Sequence, residues 1–327
     1  MSLPKRISLA HLPTPIQRLE RLSGDLGKEI YLKRDDYTGI EVSGNKVRKL
    51  EFAVQEALDQ GAKMLITCGG LQSNHARATA AVARRLGLDC HLVLRGSPQY
   101  PDHGNLLLDQ LLGVHITFMD PDDFNDHHME KMALLKQEYD QQGMPAYLLP
   151  MGASNAIGSF GYMAAYEEIL LQEIAMDVTF DTIACAVGSG GTHAGLVLGN
   201  VLHGTRHRII GIPICDDAAY FKPIVRGLVS ECLLRISPQT ALAEASVEFL
   251  DGYAGQGYAL NTPEEMDFIR RLASSEGVLL DPVYTGKAFR GLQTEMERGA
   301  LPDSRHILFI HTGGLYGLFP KAAEFHL

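Results

Sequence analysis

The sequence has 327 residues, 46% of them hydrophobic, so it can bury a large core and favours two domains over one. Its 39 acidic and 29 basic side chains give a formal net charge of −10, which argues against a polyanionic partner such as nucleic acid. No apolar run approaches the roughly 18 residues of a membrane helix, and the first residues lack the apolar core of a signal peptide, so we expect a cytoplasmic protein without a membrane partner.

The first half of the chain alternates short apolar segments with segments of helical periodicity. After an irregular opening to about residue 26, the pattern predicts strands at 29–33, 64–68, 90–94, 115–119 and 147–149. It predicts one helix that begins near Lys46 and further helices at 76–86, 105–112 and 122–142.

The second half repeats this alternation. Its predicted strands are 182–187, 208–213 and 306–311, and its predicted helices are 157–174, 194–202, 220–234, 263–275 and 286–298. Strands and helices that alternate at this spacing form right-handed crossover units around a parallel sheet. We therefore predict an α/β protein with two doubly wound, open parallel-sheet domains and a cleft between them.

A lysine stands at the start of the first long helix. Leu50 and Val54 belong to an apolar stripe at helical spacing, which places Lys46 in the first turn. There the helix dipole and desolvation both favour the neutral, nucleophilic amine that a Schiff-base lysine needs. Taken alone, this stretch favours the simpler interpretation of a surface lysine in a basic turn beside Arg48 and Lys49.

A glycine-rich loop follows the strand predicted at 182–187. Its residues are Gly188-Ser189-Gly190-Gly191-Thr192-His193. Glycines permit close approach, successive backbone N–H groups form an anion nest, and Thr192 adds a hydroxyl, so the loop is suited to a phosphate. A dinucleotide site fits poorly because His193 stands where the fingerprint requires glycine or alanine.

Three further loops carry polar side chains. Gln72-Ser73-Asn74-His75 places short polar groups and free amides at a predicted helix start, which suits a carboxylate, although simple N-capping by Ser73 or Asn74 explains the pattern equally well. The loops around Tyr284 and Thr312 add hydroxyls, but single tyrosines such as Tyr258 are usually packing residues.

The combined inventory of these loops narrows the chemistry. A nucleophilic lysine, a phosphate nest, a carboxylate loop and hydroxyls are the parts of a pyridoxal 5′-phosphate enzyme that acts on a small amino acid. The five cysteines are odd in number and widely spaced, with no Cys-x-x-Cys pair, which indicates neither a disulfide framework nor a metal site.

Five motifs in order along the chain resemble the D-cysteine desulfhydrase and 1-aminocyclopropane-1-carboxylate deaminase family, which belongs to the tryptophan-synthase-β type (fold type II) of pyridoxal phosphate enzymes. They are SGNKVRKLEF at 43–52, LQSNH at 71–75, GTHAG at 191–195, LDPVYTGKA at 280–288 and FIHTGG at 309–314. The resemblance spans nearly the whole chain, and it outweighs the interpretation of Lys46 as a surface lysine. It implies a larger cofactor-binding domain of 1–50 and 158–327, a smaller α/β domain of 51–157, and the cofactor in the cleft.

The resemblance also assigns the residues that bind the cofactor. Lys46 is implied as its covalent attachment point, Asn74 as a contact to its ring hydroxyl, and the glycine loop at 188–192 as its phosphate site. Thr285 corresponds to the residue that faces the pyridine nitrogen, and Thr312 is expected beside the cofactor.

The substrate residues follow from the same resemblance. Ser73, with the neighbouring amides of Asn74 and His75, is implied to bind the substrate carboxylate. Tyr258 and Tyr284 match tyrosines that lie near the substrate. Ser73 and both tyrosines are expected to act in catalysis with the lysine, and the residues leave open which group removes the α-proton.

Three positions favour one activity within the family. Thr285 replaces a glutamate that in the deaminases keeps the ring nitrogen protonated, Thr312 stands where they carry leucine, and His75 where they usually carry glutamine. We therefore expect a lyase that converts D-cysteine, or a close β-substituted alanine, to pyruvate, ammonia and hydrogen sulfide. A homodimer is implied by the resemblance alone.

Other activities remain as alternatives. Gly257-Tyr258-Ala259 replaces the Gly-Tyr-Gly of the family, and 39–42 and 315–317 also depart from typical desulfhydrases. An L-cysteate sulfo-lyase would use the same machinery, and a 1-aminocyclopropane-1-carboxylate deaminase is the other enzyme alternative. A pyridoxal phosphate carrier would need the phosphate loop without the substrate hydroxyls, and a dinucleotide oxidoreductase lacks its fingerprint.

Overall fold

The computed structural model describes residues 2–243 and 247–326. Within these residues the strands are β1 (Ile16–Arg18), β2 (Glu29–Arg34), β3 (Met64–Gly70), β4 (Asp89–Arg95), β5 (His115–Met119), β6 (Ala146–Leu148), β7 (Thr182–Val187), β8 (Arg208–Pro213), β9 (Glu248–Phe249) and β10 (His306–His311). The helices are α1 (Glu20–Leu26), α2 (Lys46–Asp59), α3 (Asn74–Arg85), α4 (Gly104–Leu111), α5 (Pro121–Gln141), α6 (Ala156–Met176), α7 (Gly191–His203), α8 (Ala218–Ile236), α9 (Pro263–Glu276) and α10 (Thr285–Glu297).

These strands form two separate sheets. The larger has the order β1-β2-β10-β7-β8-β9, and the smaller has the order β5-β4-β3-β6. Among the described strands, β1 pairs with β2 antiparallel and the other pairings are parallel. The predicted fold class, an α/β protein with two open parallel-sheet units, is confirmed.

The central strands are buried on both faces. All six residues of β7 are buried, as are the first six residues of β3. A parallel sheet is covered on both sides by its crossover helices, so its strands are nearly continuous apolar runs without alternation. This burial explains why the sequence pattern located these strands.

A shared apolar core connects the two sheets. It contains Leu65 and Leu92 of the smaller sheet, Ile183 and Cys185 of the larger sheet, and apolar faces of the helices α2, α3, α6 and α7. Separate clusters cover the outer faces, with α9 and α10 on the larger sheet and α5 on the smaller. The first turn of α2, with Lys46, is therefore set in the region between the sheets.

The helix α6 packs closely against both α2 and α7. A Cβ atom added at Gly161 of α6 would lie 2.3 Å from the carbonyl oxygen of Arg48, and one added at Gly195 of α7 would lie 2.3 Å from that of Ser159. Only glycine lets these backbones approach so closely. The two glycines therefore let α6 contact the first turns of α2 and of α7 directly.

A buried ion network anchors the start of α2. Arg48 forms a two-pronged pair with Asp35, with Nε–Oδ2 at 2.9 Å and Nη2–Oδ1 at 2.8 Å, and it also reaches both carboxylate oxygens of Glu168 at 3.0 Å. Tyr162 donates its hydroxyl to Asp35 at 2.6 Å. Burial works to lower the pKa of Arg48, but the Asp35 and Glu168 carboxylates outweigh it and raise the pKa. This arginine is 1% exposed, so it does not belong to a surface basic turn.

The structure adds elements that the sequence pattern missed. The opening segment contains the three-residue β1 and the helix α1, and β9 has two residues. Elements this short bury too little apolar surface to leave a periodic pattern. The strands of the smaller sheet come from 64–148 and those of the larger from 16–34 and 182–311. The domain boundaries at 50 and 157 stay a prediction; residue 50 lies inside α2.

Candidate active site

A cavity of about 550 Å³ lies in the cleft between the two sheets. Residues that end or follow β3 and β4 form one side, and residues at the ends of β7, β8 and β10 form the other. In α/β proteins the carboxyl ends of parallel strands are the usual place for a ligand, because the loops there feed helix N-termini.

Most of the residues predicted for the site line this cavity: Lys46, Ser73, Asn74, His75, Gly188, Ser189, Gly190, Thr192, Tyr258, Tyr284 and Thr312. The other two, Gly191 and Thr285, are buried outside the lining. Segments separated by up to 266 residues in the chain, from Lys46 to Thr312, therefore meet at one place.

Lys46 is the first residue of α2, and its side chain is half-buried at the cavity. Its Nζ atom lies 5.8 Å from the ring centroid of Tyr284 and has no hydrogen bond or ion pair to the described residues. Burial lowers the pKa of Lys46 to about 8, with Asp281 opposing and Arg77 adding to the shift. At pH 7 an amine with a pKa of about 8 is about one-tenth neutral, and this neutral fraction is a nucleophile.

The glycine loop leads into the N-terminus of α7. Gly190 has φ +84°, and a Cβ atom at Gly188 would lie 2.9 Å from the Tyr284 ring, so both positions require glycine. The first amides of a helix have no intrahelical acceptor, and they point at whatever lies before the helix. Thr192 accepts a hydrogen bond from Asn45 Nδ2 at 3.0 Å, which leaves its hydroxyl proton available to an anion.

Lys49 supports the glycine loop through hydrogen bonds to residues that contact it. Its Nζ atom donates to the carbonyl oxygen of Gly152 at 3.2 Å and to Ser154 Oγ at 3.1 Å, and Ser154 Oγ lies 2.7 Å from Ser189 Oγ. Burial, and then the charge of Lys46, lower the pKa of Lys49 well below its ordinary value. Lys49 is 1% exposed, so this lysine is part of the site's support and not of a surface turn.

Ser73 combines the two roles that its sequence context left open. Its Oγ atom accepts from the backbone N–H of Ala76 at 3.1 Å, so it is the N-cap of α3, and it also lines the cavity. As a hydroxyl that accepts one hydrogen bond, it keeps a proton to donate into the cavity.

Asn74 is oriented by a residue that the sequence did not single out. Asn105 of α4 donates from Nδ2 to Asn74 Oδ1 at 3.0 Å, and its own Oδ1 accepts from Arg77 Nε at 3.1 Å. With Oδ1 occupied, Asn74 presents its N–H donors to the cavity. Asn105 belongs to no local sequence motif, because its contact with Asn74 of α3 is formed only in the folded chain.

His75 is held as a neutral ring. Thr67 donates its hydroxyl to the carbonyl oxygen of Leu149 at 2.9 Å, so His75 Nε2, 2.8 Å from the same hydroxyl, acts as the donor. Burial, and then the charges of Lys46 and Lys49, lower the pKa of His75 well below its ordinary value. The imidazole is therefore uncharged at neutral pH.

Tyr258 and Tyr284 form a pair. Their hydroxyl oxygens lie 3.0 Å apart, and their rings meet edge-on with centroids 5.9 Å apart. Burial raises the pKa of Tyr284 well above its ordinary value, with Tyr258 adding to the effect, and burial also raises the pKa of Tyr258. Both side chains therefore remain phenols at neutral pH, the opposite of what a tyrosine base requires.

Thr285 is engaged at the start of α10. Its hydroxyl donates to Asp281 Oδ1 at 2.7 Å and accepts from the backbone N–H of Asp281 at 2.8 Å. Thr312, by contrast, lines the cavity directly, and its carbonyl oxygen accepts from the Asn45 amide at 3.1 Å. Thr312 therefore belongs to the cavity wall, whereas Thr285 is buried outside the lining. The cofactor contact predicted for Thr285 stays a prediction.

Cys215 is also in the cavity wall, but it is not an activated thiol. Burial, and then Asp216, raise the pKa of Cys215 to about 12. Cys215 therefore does not supply a thiolate nucleophile.

Within 2–243 and 247–326, no helix is long and apolar enough to cross a membrane, and no group of three or more His, Cys, Asp or Glu side chains is arranged to hold a metal ion.

The cleft, the lysine and the glycine loop together suit a pyridoxal phosphate enzyme on an α/β scaffold, and comparison with known proteins shows that class. Residues 7–313 match the family model described as pyridoxal-phosphate dependent enzyme, and the chain belongs to this family.

Individual relatives show which members of the family this chain resembles. The chain is 42% identical over 326 residues to a bifunctional D-cysteine desulfhydrase/1-aminocyclopropane-1-carboxylate deaminase of Arabidopsis thaliana, covering 97% of this chain and 80% of the relative. It is 42% identical over 320 residues to a D-cysteine desulfhydrase of Salmonella choleraesuis, covering 96% and 95%. A solved structure of an ACC deaminase homologue superposes with a TM-score of 0.91 at 37% identity, covering 99% of this chain and 96% of that one.

The residues present fit the cofactor of this family. A phosphate needs the glycine cradle and the free amides at α7, and an added Cβ atom at Gly191 would lie 2.7 Å from Lys49 Nζ. An aldehyde needs an unpaired, partly neutral amine, which Lys46 supplies. The site therefore has a donor set that suits pyridoxal phosphate.

Proposed function

We propose that the chain is a carbon–sulfur lyase that converts D-cysteine to pyruvate, ammonia and hydrogen sulfide with pyridoxal phosphate. The observation that carries this proposal is a pair of threonines, Thr312 in the cavity wall and Thr285 buried outside the lining. Thr312 lines the wall with a neutral hydroxyl, and Thr285 begins α10 where the deaminases carry a glutamate. Without a carboxylate from that position, the site favours a β-elimination, in which the leaving group carries the electrons away.

The chain's own residues would hold the cofactor as follows. Lys46 would hold the aldehyde group through its amine, the amides at the start of α7 and the Thr192 hydroxyl would hold the phosphate, and Asn74 would hold the ring hydroxyl. When bound, pyridoxal phosphate supplies an electron sink for the pair of electrons left at the substrate's α-carbon. The Ser73 hydroxyl and the first amides of α3 bind the substrate carboxylate.

Lys46 is the best candidate for moving the α-proton. Burial lowers the pKa of Lys46 to about 8, so the neutral form of its amine could take up a proton near neutral pH. The raised pKa values of Tyr258 and Tyr284 favour donation of a hydrogen bond by these hydroxyls over abstraction of a proton. In their mutual hydrogen bond at 3.0 Å one hydroxyl donates, which leaves the proton of the other available to a ligand.

The test is turnover of a substrate panel by the holoenzyme. Pyruvate release is measured from D-cysteine and L-cysteine, and 2-oxobutyrate release from 1-aminocyclopropane-1-carboxylate. We expect the highest kcat/KM for D-cysteine. A higher value for the cyclopropane substrate would replace this proposal with the deaminase, and absence of turnover on the whole panel would overturn both.

The deaminase activity is the second candidate. The Arabidopsis relative carries both activities in its name, and the solved structure is that of an ACC deaminase homologue. The same lysine, phosphate loop and carboxylate site would serve either substrate. Thr312 provides the test within one protein, because Thr312→Leu is expected to lower desulfhydrase turnover relative to deaminase turnover.

Location and assembly complete the proposal. We propose a cytoplasmic homodimer whose larger domain combines 1–50 and 158–327 and whose smaller domain spans 51–157. The family membership and the absence of a spanning helix in the described residues are compatible with this proposal. Light scattering of the purified holoenzyme should give twice the 35.8 kDa chain mass, and a single chain mass would remove the dimer.

A further inference from the structure

The loop that carries Tyr258 has little regular structure to hold it. It joins β9 to α9, and Gly257 and Ala259 on either side of Tyr258 both have positive φ, +118° and +59°. Its turn hydrogen bonds are long, with the Gly257 nitrogen 3.3 Å from the Ala254 carbonyl oxygen and the Leu260 nitrogen 3.3 Å from that of Gly257. Bonds of this kind do not by themselves hold a side chain in one place.

Two lysines bind the carbonyl groups of this loop. Lys287 Nζ donates to the carbonyl oxygens of Ala254 at 2.8 Å and of Gly257 at 2.7 Å. On the other side of the tyrosine, Lys321 Nζ donates to the carbonyl oxygen of Ala259 at 2.8 Å. A charged donor makes each of these bonds stronger than a bond between neutral groups. The tyrosine therefore lies between two carbonyl groups that ammonium groups hold.

Lys287 is the more informative of the two lysines. It is 1% exposed, and it forms no ion pair with the residues that the structure describes. Taking a charge out of water without an ion pair costs free energy, which its bonds to the loop must offset. An apolar side chain would pack there without that cost, so the ammonium is explained by the carbonyl groups that it binds.

One helix start therefore places both tyrosines of the cavity wall. Lys287 is the third residue of α10, and Tyr284 is the N-cap residue of the same helix. Tyr284 follows directly from this helix start, whereas Tyr258 is held through Lys287. The two hydroxyl oxygens lie 3.0 Å apart, so a displacement of the Tyr258 loop by about 1 Å would break their hydrogen bond.

We propose that Lys287 is a positioning residue of the active site, which acts through the backbone of Tyr258 to keep the Tyr258 hydroxyl against Tyr284 in the cavity wall. Lys321 is the second anchor of the same loop. Neither lysine lines the cavity, and the covalent role stays with Lys46. This inference rests on the proposed function, in which the two phenols donate hydrogen bonds in the site.

A double-mutant cycle tests this role by turnover. The value of kcat/KM for D-cysteine is measured for the wild-type holoenzyme, Lys287→Met, Tyr258→Phe and the double variant. We expect Lys287→Met to lower kcat/KM by about 10- to 100-fold, and by less than about 2-fold when the Tyr258 hydroxyl is already absent. Effects that multiply in the double variant would overturn the proposal, because Lys287 would then act independently of that hydroxyl.

Lys28→Met is the matched control. Lys28 Nζ also donates to two carbonyl oxygens, those of Leu301 at 2.8 Å and Ser304 at 2.7 Å, but Lys28 lies outside the cavity wall. Its substitution removes the same kind of bonds from a different loop, so it should change kcat/KM by less than about 2-fold. A loss as large as that of Lys287→Met would overturn the proposal, because any lysine of this kind would then have the same effect.

A spectroscopic measurement separates this inference from the proposed function. The holoenzyme is labelled with 3-fluorotyrosine, and the fluorine resonances of Tyr258 and Tyr284 are assigned from their Phe variants. We expect Lys287→Met to shift or broaden both resonances and Lys28→Met to leave them unchanged. Unchanged resonances in Lys287→Met would overturn the role of Lys287 even if D-cysteine turns over. Shifted resonances in a protein that turns over no amino acid would support that role and overturn the lyase proposal.

Lys321→Met provides the test if Lys287→Met does not fold. The Lys321 side chain is 20% exposed, so its loss disturbs the core less, and it too binds a carbonyl group next to Tyr258. This substitution should shift the fluorine resonance of Tyr258. An unchanged resonance would overturn the proposal that ammonium groups hold this loop.

Discussion

Replacing Lys46 by methionine should stabilise the cofactor-free protein while abolishing its reaction. The two side chains are similar in length, so the change removes the charge and keeps most of the packing. Burial lowers the pKa of Lys46 from the ordinary 10.5 to about 8, which means that the folded state disfavours the ammonium. Removing the ammonium removes that cost.

The magnitude follows from proton linkage. Between about pH 8 and 10.5 the unfolded chain holds the proton that the folded chain has lost, so wild-type stability rises with pH in this window. The cost of the ammonium is complete below about pH 8, where it reaches about 3 kcal/mol at about 1.4 kcal/mol for each pH unit. Lys46→Met should therefore gain about 3 kcal/mol at pH 7 and about 1.4 kcal/mol at pH 9.5.

Denaturant unfolding of the cofactor-free proteins at these two pH values measures the gain. The control is Lys63→Met, an exposed lysine whose substitution should change the free energy of unfolding by less than about 0.5 kcal/mol. The reasoning would be refuted by a Lys46→Met protein that is less stable than the wild type at pH 7. It would also be refuted if the gain in the free energy of unfolding were the same at both pH values, because the folded state would then not disfavour the Lys46 ammonium.

Three further predictions concern the scaffold and the residues that support the site. Gly161→Ala should lower the free energy of unfolding by about 1–3 kcal/mol, because the added Cβ atom would lie 2.3 Å from a carbonyl oxygen of α2. The control Gly227→Ala, whose added Cβ atom would have nothing within 4 Å, should raise the free energy of unfolding by up to about 1 kcal/mol. Equal effects of the two substitutions in chemical denaturation would refute the close packing at Gly161. Ala259→Gly should stabilise the protein by about 0.5–1 kcal/mol because this residue has φ +59°, and a loss of stability in the same assay would contradict the strain. Asn105→Ala should weaken pyridoxal phosphate binding by about 5- to 30-fold in equilibrium dialysis, because Asn74 loses the donor at 3.0 Å that orients its amide; unchanged affinity would remove Asn105 from this role.

The strand positions show what a sequence pattern contains. β7 was located at its full length, 182–187, because a strand buried on both faces is a continuous apolar run between turn residues. β9 has two half-buried residues and pairs only at the edge of the sheet, so its position is set by β8 and not by its own side chains. In the larger sheet the local pattern thus predicted the four interior strands and missed the edge strands β1 and β9, whereas in the smaller sheet it also predicted the edge strands β5 and β6.

The site shows the same limit at the level of single residues. The glycine loop and the Ser73 loop were found because a strand end followed by a helix start is a local signal. Arg48 and Lys49 looked like a surface turn, yet both are 1% exposed, because their acceptors come from residues such as Asp35 and Gly152 that are distant in the chain. Whether a cationic side chain is buried depends on such partners, and one stretch of sequence does not show them.

Ala259 shows how a departure from a family pattern acquires a physical meaning. The family carries Gly-Tyr-Gly where this chain has Gly257-Tyr258-Ala259, and both flanking residues have positive φ, +118° and +59°. The backbone around Tyr258 therefore takes a conformation that glycine adopts freely and alanine adopts at a cost. The sequence showed the difference, and only the backbone angles show its consequence.

Reductive trapping of the cofactor tests the central claim most directly. Borohydride reduction fixes pyridoxal phosphate to the lysine that holds it, and peptide mapping by mass spectrometry then locates the label. We expect the label on Lys46, which has an unpaired Nζ atom in the cavity and a pKa lowered to about 8. A label on Lys49 or on another lysine, or no label on protein loaded with the cofactor, would contradict the assignment of this cleft as the active site.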